Sequence, residues 1–147
     1  MTDQQRGLAV QCYNQTWDLI DQVARTPADD RQMLTLAMAS RALWDDIGAD
    51  EQWITGDWQV AHVAALTGHP DLSLDFAAAA YERASNADVP LWLRASTCEG
   101  LARAHAAAGH EAERDAWALK ARELLEQVDD ADDRALIEGQ LATVDGA

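Results

Sequence analysis

Basic residues are scarce in this sequence. Eleven Lys and Arg stand against twenty-six Asp and Glu, for a formal charge of -15 and a pI near 4.3. A nucleic-acid backbone is therefore not the expected partner, because phosphate binding needs a basic face. Phenylalanine occurs once, Pro three times and Gly eight times. β-Sandwiches and barrels need many turns and many β-branched or aromatic strand positions, so this poverty excludes both. No run approaches the ~20 apolar residues of a membrane span. The N-terminus lacks the basic and apolar regions of a signal peptide. Two cysteines, Cys12 and Cys98, make no disulfide scaffold and suit a reducing cytoplasm. What abounds is alanine, thirty of 147 residues, within a hydrophobic share of 48%. Disordered acidic tails lack that much apolar surface, and the length suits one domain with a real core.

Turn signals divide the chain at regular intervals: Thr26-Pro27, Gly48-Ala49-Asp50, Gly68-His69-Pro70, Asp88-Val89-Pro90, Gly109-His110 and Asp129-Asp130-Ala131-Asp132. Pro belongs at a helix start and Gly just past a helix end, so the spacing predicts seven helices joined by short turns. Apolar residues recur at intervals of three and four, as in Ala9, Cys12, Tyr13, Thr16, Trp17, Ile20 and Val23. The second segment has two apolar faces, Leu36, Leu43 and Ile47 on one, Met33, Ala37 and Trp44 on the other. Such a helix is sandwiched between neighbours. Short turns between helices of equal length make those neighbours antiparallel.

Shifting the chain by 41 residues aligns Gly68-His69 with Gly109-His110, Phe76 with Trp117, Ala80 with Ala121 and Glu82 with Glu123. The unit is helix, Gly turn, helix, which favours stacked hairpins over a four-helix bundle. Leu101-Ala102 with Gly109 and Ala121, and Val60-Ala61 with Gly68, Ser73 and Ala80, resemble the tetratricopeptide repeat. Arg114 stands where that motif has a small Ala, and His105 where it has Tyr. A resemblance over most of the chain is carried by Asn14-Gln15-Thr16-Trp17, Ala39-Ser40-Arg41 with Trp44 and Gly48, and Gly56-Asp57-Trp58-Gln59. Leu101-Ala102-Arg103-Ala104-His105 and Asp132-Asp133-Arg134 extend it. Together they look like a family of small bacterial, often actinobacterial, TPR-like proteins. The resemblance implies a fold and no particular activity.

Residues that could carry chemistry are few. His62 and His69 are seven apart and His105 and His110 five apart, so neither pair has the i, i+4 spacing of ligands on one helical face. They read as structural, and no metal or cofactor is expected. The acidic pairs Asp29-Asp30, Asp50-Glu51 and Asp132-Asp133 sit where helices start, which the backbone dipole favours without a ligand. Neither cysteine has an acid–base partner in sequence, and phosphate loops, nucleophile elbows and zinc-protease motifs are missing. Tryptophan is the richer signal, six in the chain. Trp17, Trp44 and Trp58 read as core, filling volume that alanines leave. Trp53 and Trp92 fall in first turns of helices and read as anchors for a partner. Asn14, Arg41, Asp57, Trp58 and His62 could meet across stacked helices, with Arg41 holding an anion or pairing internally with Asp57.

The sequence thus predicts an all-α, TPR-like array of about seven antiparallel helices in one domain, residues 1–147. Hairpins are expected over 3–48, 50–87 and 90–128, with a capping helix over 132–144. The expected role is a cytoplasmic, non-enzymatic module for a protein or peptide, a basic one by charge complementarity. The alternative is a small-molecule or enzymatic pocket near Arg41, Asp57 and Trp58; a closed cavity would favour it and an open groove the module. An apolar end face would add a twofold dimer.

Overall fold

The computed structural model describes residues 2–145, which contain seven α-helices and no strand. They are α1 (Thr2–Ile20), α2 (Pro27–Leu43), α3 (Asp50–Leu66), α4 (Pro70–Asn86), α5 (Leu91–Ala107), α6 (Glu111–Leu125) and α7 (Ala131–Asp145). Among the described residues no helix is long and apolar enough to cross a membrane.

Local chemistry accounts for the helix ends. Thr26 caps α2 by accepting from the Asp29 N–H at 3.1 Å, while the Asp29 carboxylate accepts the Thr26 N–H at 3.0 Å. This reciprocal box satisfies two donors that a helix start leaves open, and the Thr26 N–H is the main cause holding the Asp29 carboxyl below its usual value. Pro27 and Pro70 open α2 and α4, whereas Pro90 sits one residue ahead of α5 as its cap. Gly68 and Gly109 follow α3 and α5 with φ of +80° and +79°. That conformation lets the His69 N–H reach Ala64 O and the His110 N–H reach His105 O, each at 2.9 Å. The chain reverses there at little steric cost because Gly has no Cβ.

Consecutive helices pack as hairpins, α1 on α2, α3 on α4 and α5 on α6, and neighbouring hairpins join through α2–α3 and α4–α5. Contacts also link α3 with α5 and α5 with α7. The odd-numbered helices therefore form one layer and the even-numbered ones line its back. Alanines make the close seams: Ala61 with Ala77, and Ala95, Ala102, Ala118 and Ala121, are all essentially unexposed. Two serines each tie together the two helices of one hairpin. Ser40 Oγ donates to Ala9 O at 2.8 Å and Ser73 Oγ to Ala61 O at 2.7 Å. Larger side chains fill what remains, with Met33, Val60 and Val63 between the first two hairpins and Leu125, Ile137 and Leu141 under α7. Each such side chain contributes about 1.5–3 kcal/mol by leaving water.

The central helices are enclosed on nearly all sides. Every residue from Gly56 to Ala64 in α3 and from Ala95 to Gly100 and on to Ala104 in α5 is buried. Polar side chains in these stretches must find partners inside the protein. Their pairing creates the arrangement described next.

Candidate functional site

The front of the odd-numbered layer carries an open groove in two adjoining parts. One, of about 210 Å³, is walled by Tyr13 and Trp17 of α1, Trp58 of α3, Trp92 and Ser96 of α5, and Gln140 of α7. The other, of about 220 Å³, runs toward Val10, Trp44 and Glu51. Tyr13 and Thr55 line both and make them continuous.

Aromatic stacking builds the wall. Trp17 and Trp58 stack with centroids 5.8 Å apart, and His62, one turn beyond Trp58, stacks on it at 5.0 Å. These positions share one register. Adding 41 to Trp17 reaches Trp58, adding 41 again reaches Glu99, and a third time Gln140. Contacts run along this file: the Trp58 indole N–H donates to Glu99 Oε1 at 2.9 Å. Glu99 Oε2 accepts from Arg103 Nε at 3.0 Å, and Arg103 Nη2 donates to Gln140 O and to Thr143 Oγ1 at 3.0 and 2.7 Å. A chain of polar contacts thereby joins α3, α5 and α7 behind the groove. Gly100 makes room for it, since a Cβ there would stand 3.0 Å from Trp58 Cδ1.

Glu99 is fully buried, and burial pushes its carboxyl above the usual value while Arg103 and the Trp58 indole pull it back. Burial holds the His62 imidazole well below its usual value, with Arg103 and Arg25 adding repulsion, and its Nδ1 has no partner. His62 is thus a neutral ring in a stack. Burial also raises the Tyr13 phenol, with the Trp17 side chain lowering it in part. Both carboxylate oxygens of Glu99 are occupied, which leaves it with structural rather than proton-transfer chemistry.

The residues singled out in the sequence fall into separate places. Arg41 lies between two acids, donating from Nε to Asp57 Oδ1 at 2.7 Å and from Nη1 to Asp45. Asp57 is buried, which raises its carboxyl, and Arg41 offsets part of that. Its side chain borders a polar surface depression with Asp50 and Arg83, whereas the adjacent Trp58 faces the aromatic groove. One helical step of about 100° separates them. Arg41 and Asp57 therefore do not converge with Trp58 and His62, and Asn14 is exposed. Trp53 is engaged within the chain: its indole donates to Trp44 O at 2.9 Å and Arg83 covers its ring at 4.8 Å. Trp92 does line the groove.

Of the histidines, His105 Nδ1 meets His110 Nδ1 at 3.1 Å and His69 Nδ1 meets Thr67 Oγ1 at 3.1 Å. Among the described residues no group of three or more His, Cys, Asp or Glu is placed to hold a metal ion. Both cysteines are free, and burial pushes the Cys98 thiol up to about 11.

Sequence reasoning missed Tyr13, Thr55, Ser96, Glu99, Arg103 and Gln140. The 41-residue shift would have found part of this set, because carrying it on from Trp17 aligns Trp58, Glu99 and Gln140. Protein-family models, curated proteins and solved structures were all compared with the chain, and none of them matches.

Proposed function

We propose that the chain is a non-enzymatic, TPR-like interaction module that binds an extended peptide segment along the face of its odd-numbered helices. One observation carries this reading: the open groove in which Tyr13, Trp17, Trp58 and Trp92 form a common aromatic wall. Aromatic rings make effective anchors because they bury large area with few torsions to freeze. Thr55, Ser96 and Gln140 supply neutral hydrogen-bonding groups between them, as a peptide backbone requires. Two of the nearby acids are paired internally, Glu99 with Arg103 and Asp57 with Arg41. That favours docking over catalysis. The pocket alternative loses ground because Arg41 and Asp57 pair away from Trp58. A cytoplasmic location and a basic partner fit the composition and charge.

Selection of a displayed peptide library on the full chain tests the module. Thr55→Trp fills the point where the two parts of the groove meet, on a half-buried position. Selected peptides should bind this variant at least about tenfold more weakly, a loss of about 1.4 kcal/mol, with its helical circular dichroism unchanged. Peptides that bind both proteins equally, or no enrichment over an unrelated helical protein, would refute the reading.

A further inference from the structure

We propose that the groove recognises a cationic side chain of a basic peptide, with its ammonium or guanidinium group seated against Tyr13, Trp17, Trp58 and Trp92. This rests on the peptide-binding reading above and specifies its chemistry. The large aromatic rings of the chain fall into two sets. Arg6 lies over Trp44 at 5.2 Å and Arg83 over Trp53 at 4.8 Å. Lys120 lies over both Tyr81, at 5.0 Å, and Trp117, at 5.2 Å. All four distances are within the ~6 Å over which a ring quadrupole attracts a cation. Among the described residues no such contact falls on Tyr13, Trp17, Trp58 or Trp92. The remaining ring, Phe76, is half-buried against the core. Phe76 aside, the rings without a cation of their own are therefore the four that wall the first part of the groove, whereas Trp44, on the second part, carries Arg6.

Charge complements this pattern. Among the described residues no Lys or Arg lines either part of the groove, and the charged residue that does is Glu51. An entering cation is drawn in by a chain of net charge -15. Glu99 acts from behind. By accepting the Trp58 indole N–H at 2.9 Å, its carboxylate pushes electron density into the ring and strengthens the negative face. Partial enclosure by four rings raises the value of the contact, because cation–ring attraction grows as water is removed.

Indole N–H signals of the isotopically labelled full chain read the site, with Trp53 and Trp117 as internal references. Three probes are titrated: lysine with acetylated α-amine and amidated carboxyl, its ε-trimethyl form, and the norleucine equivalent without charge. The lysine and trimethyl-lysine probes should shift the Trp17, Trp58 and Trp92 signals saturably, with norleucine about tenfold weaker or more. Trp92→Leu, and separately Tyr13→Leu, should weaken the lysine probe about tenfold; two variants guard against misfolding of either one. Equal binding of norleucine, loss of binding on trimethylation, or shifts spread evenly over all six indoles would overturn the proposal. Selected peptides that dock through apolar residues alone would leave the module standing and remove the cation. Probes that bind where no peptide can be selected would do the reverse.

Discussion

Arg103→Met tests the polar chain behind the groove most directly. Wild-type Glu99 is 0% exposed and Arg103 8% exposed, with the ion pair at 3.0 Å. Removing the guanidinium leaves a carboxylate in the protein interior with only the Trp58 indole as donor. Breaking one partner out of a buried pair costs about 3–5 kcal/mol, and loss of the hydrogen bonds to Gln140 O and Thr143 Oγ1 adds about 1 kcal/mol each. The expected loss is therefore about 5–7 kcal/mol at pH 7, a large share of the 5–15 kcal/mol typical of a domain. Urea unfolding followed by circular dichroism at 222 nm measures it.

The loss should depend on pH in a defined sense. Burial already raises the folded-state Glu99 carboxyl, and removing Arg103 raises it further. A raised folded value means stability that is fully present below the unfolded value of about 4.3 and lost as pH climbs through the folded one. The deficit of Arg103→Met against wild type should thus shrink between pH 7 and pH 4.5. Because Arg103 also opposes the His62 imidazolium, the comparison belongs in a His62→Phe background. Adding Glu99→Met should restore stability in part, leaving the unpaired Trp58 N–H at about 1–3 kcal/mol and the two lost bonds to α7 at about 1 kcal/mol each. A deficit under about 1 kcal/mol, a pH-independent deficit, or a double variant no better than the single would refute the reasoning.

Three further outcomes follow from the same structure. The folded His62 value lies well below its unfolded one, so stability present above pH ~6.5 is lost as pH falls; His62→Phe should flatten this slope in urea titrations, and an unchanged slope would count against a buried neutral ring. Gly68→Ala and Gly109→Ala should each cost about 1–2 kcal/mol from Cβ crowding the local backbone at positive φ, with nothing added by neighbouring residues because a Cβ there meets none of them within 4 Å; losses of only a few tenths would show that the turns tolerate other backbones. A thiol reagent at pH 8 should modify half-buried Cys12 in the native protein and reach buried Cys98 only in urea; two fast native thiols would contradict the packing of α5 on α6.

Periodicity and punctuation, as local properties, made the helices readable. Thr26-Pro27 with Asp29 specifies a capped start, and Gly68 and Gly109 specify reversals, because backbone sterics and nearest-neighbour hydrogen bonds suffice. Two apolar faces on the second helix likewise announced neighbours on two sides. The contents of the site were less legible. Trp53 reads as a partly exposed anchor from its first-turn position and is half-buried, but only the fold shows Arg83, thirty residues later in sequence, over its ring. Arg41 and Asp57 did pair, but away from Trp58, since residues adjacent in a helix point in different directions.

By itself, then, the sequence determined seven helices, their short turns and the alanines that let them approach. Those depend on interactions within a few residues or on repeated spacing. Only the tertiary structure decided which aromatic rings acquire a cation from their own chain and which face the groove without one. It also decided that Glu99 and Arg103, outwardly an ordinary i, i+4 pair, lie in the interior and tie Trp58 to α7. Burial and long-range partners set those roles, and both emerge from how hairpins stack, through contacts between residues 37 to 41 positions apart.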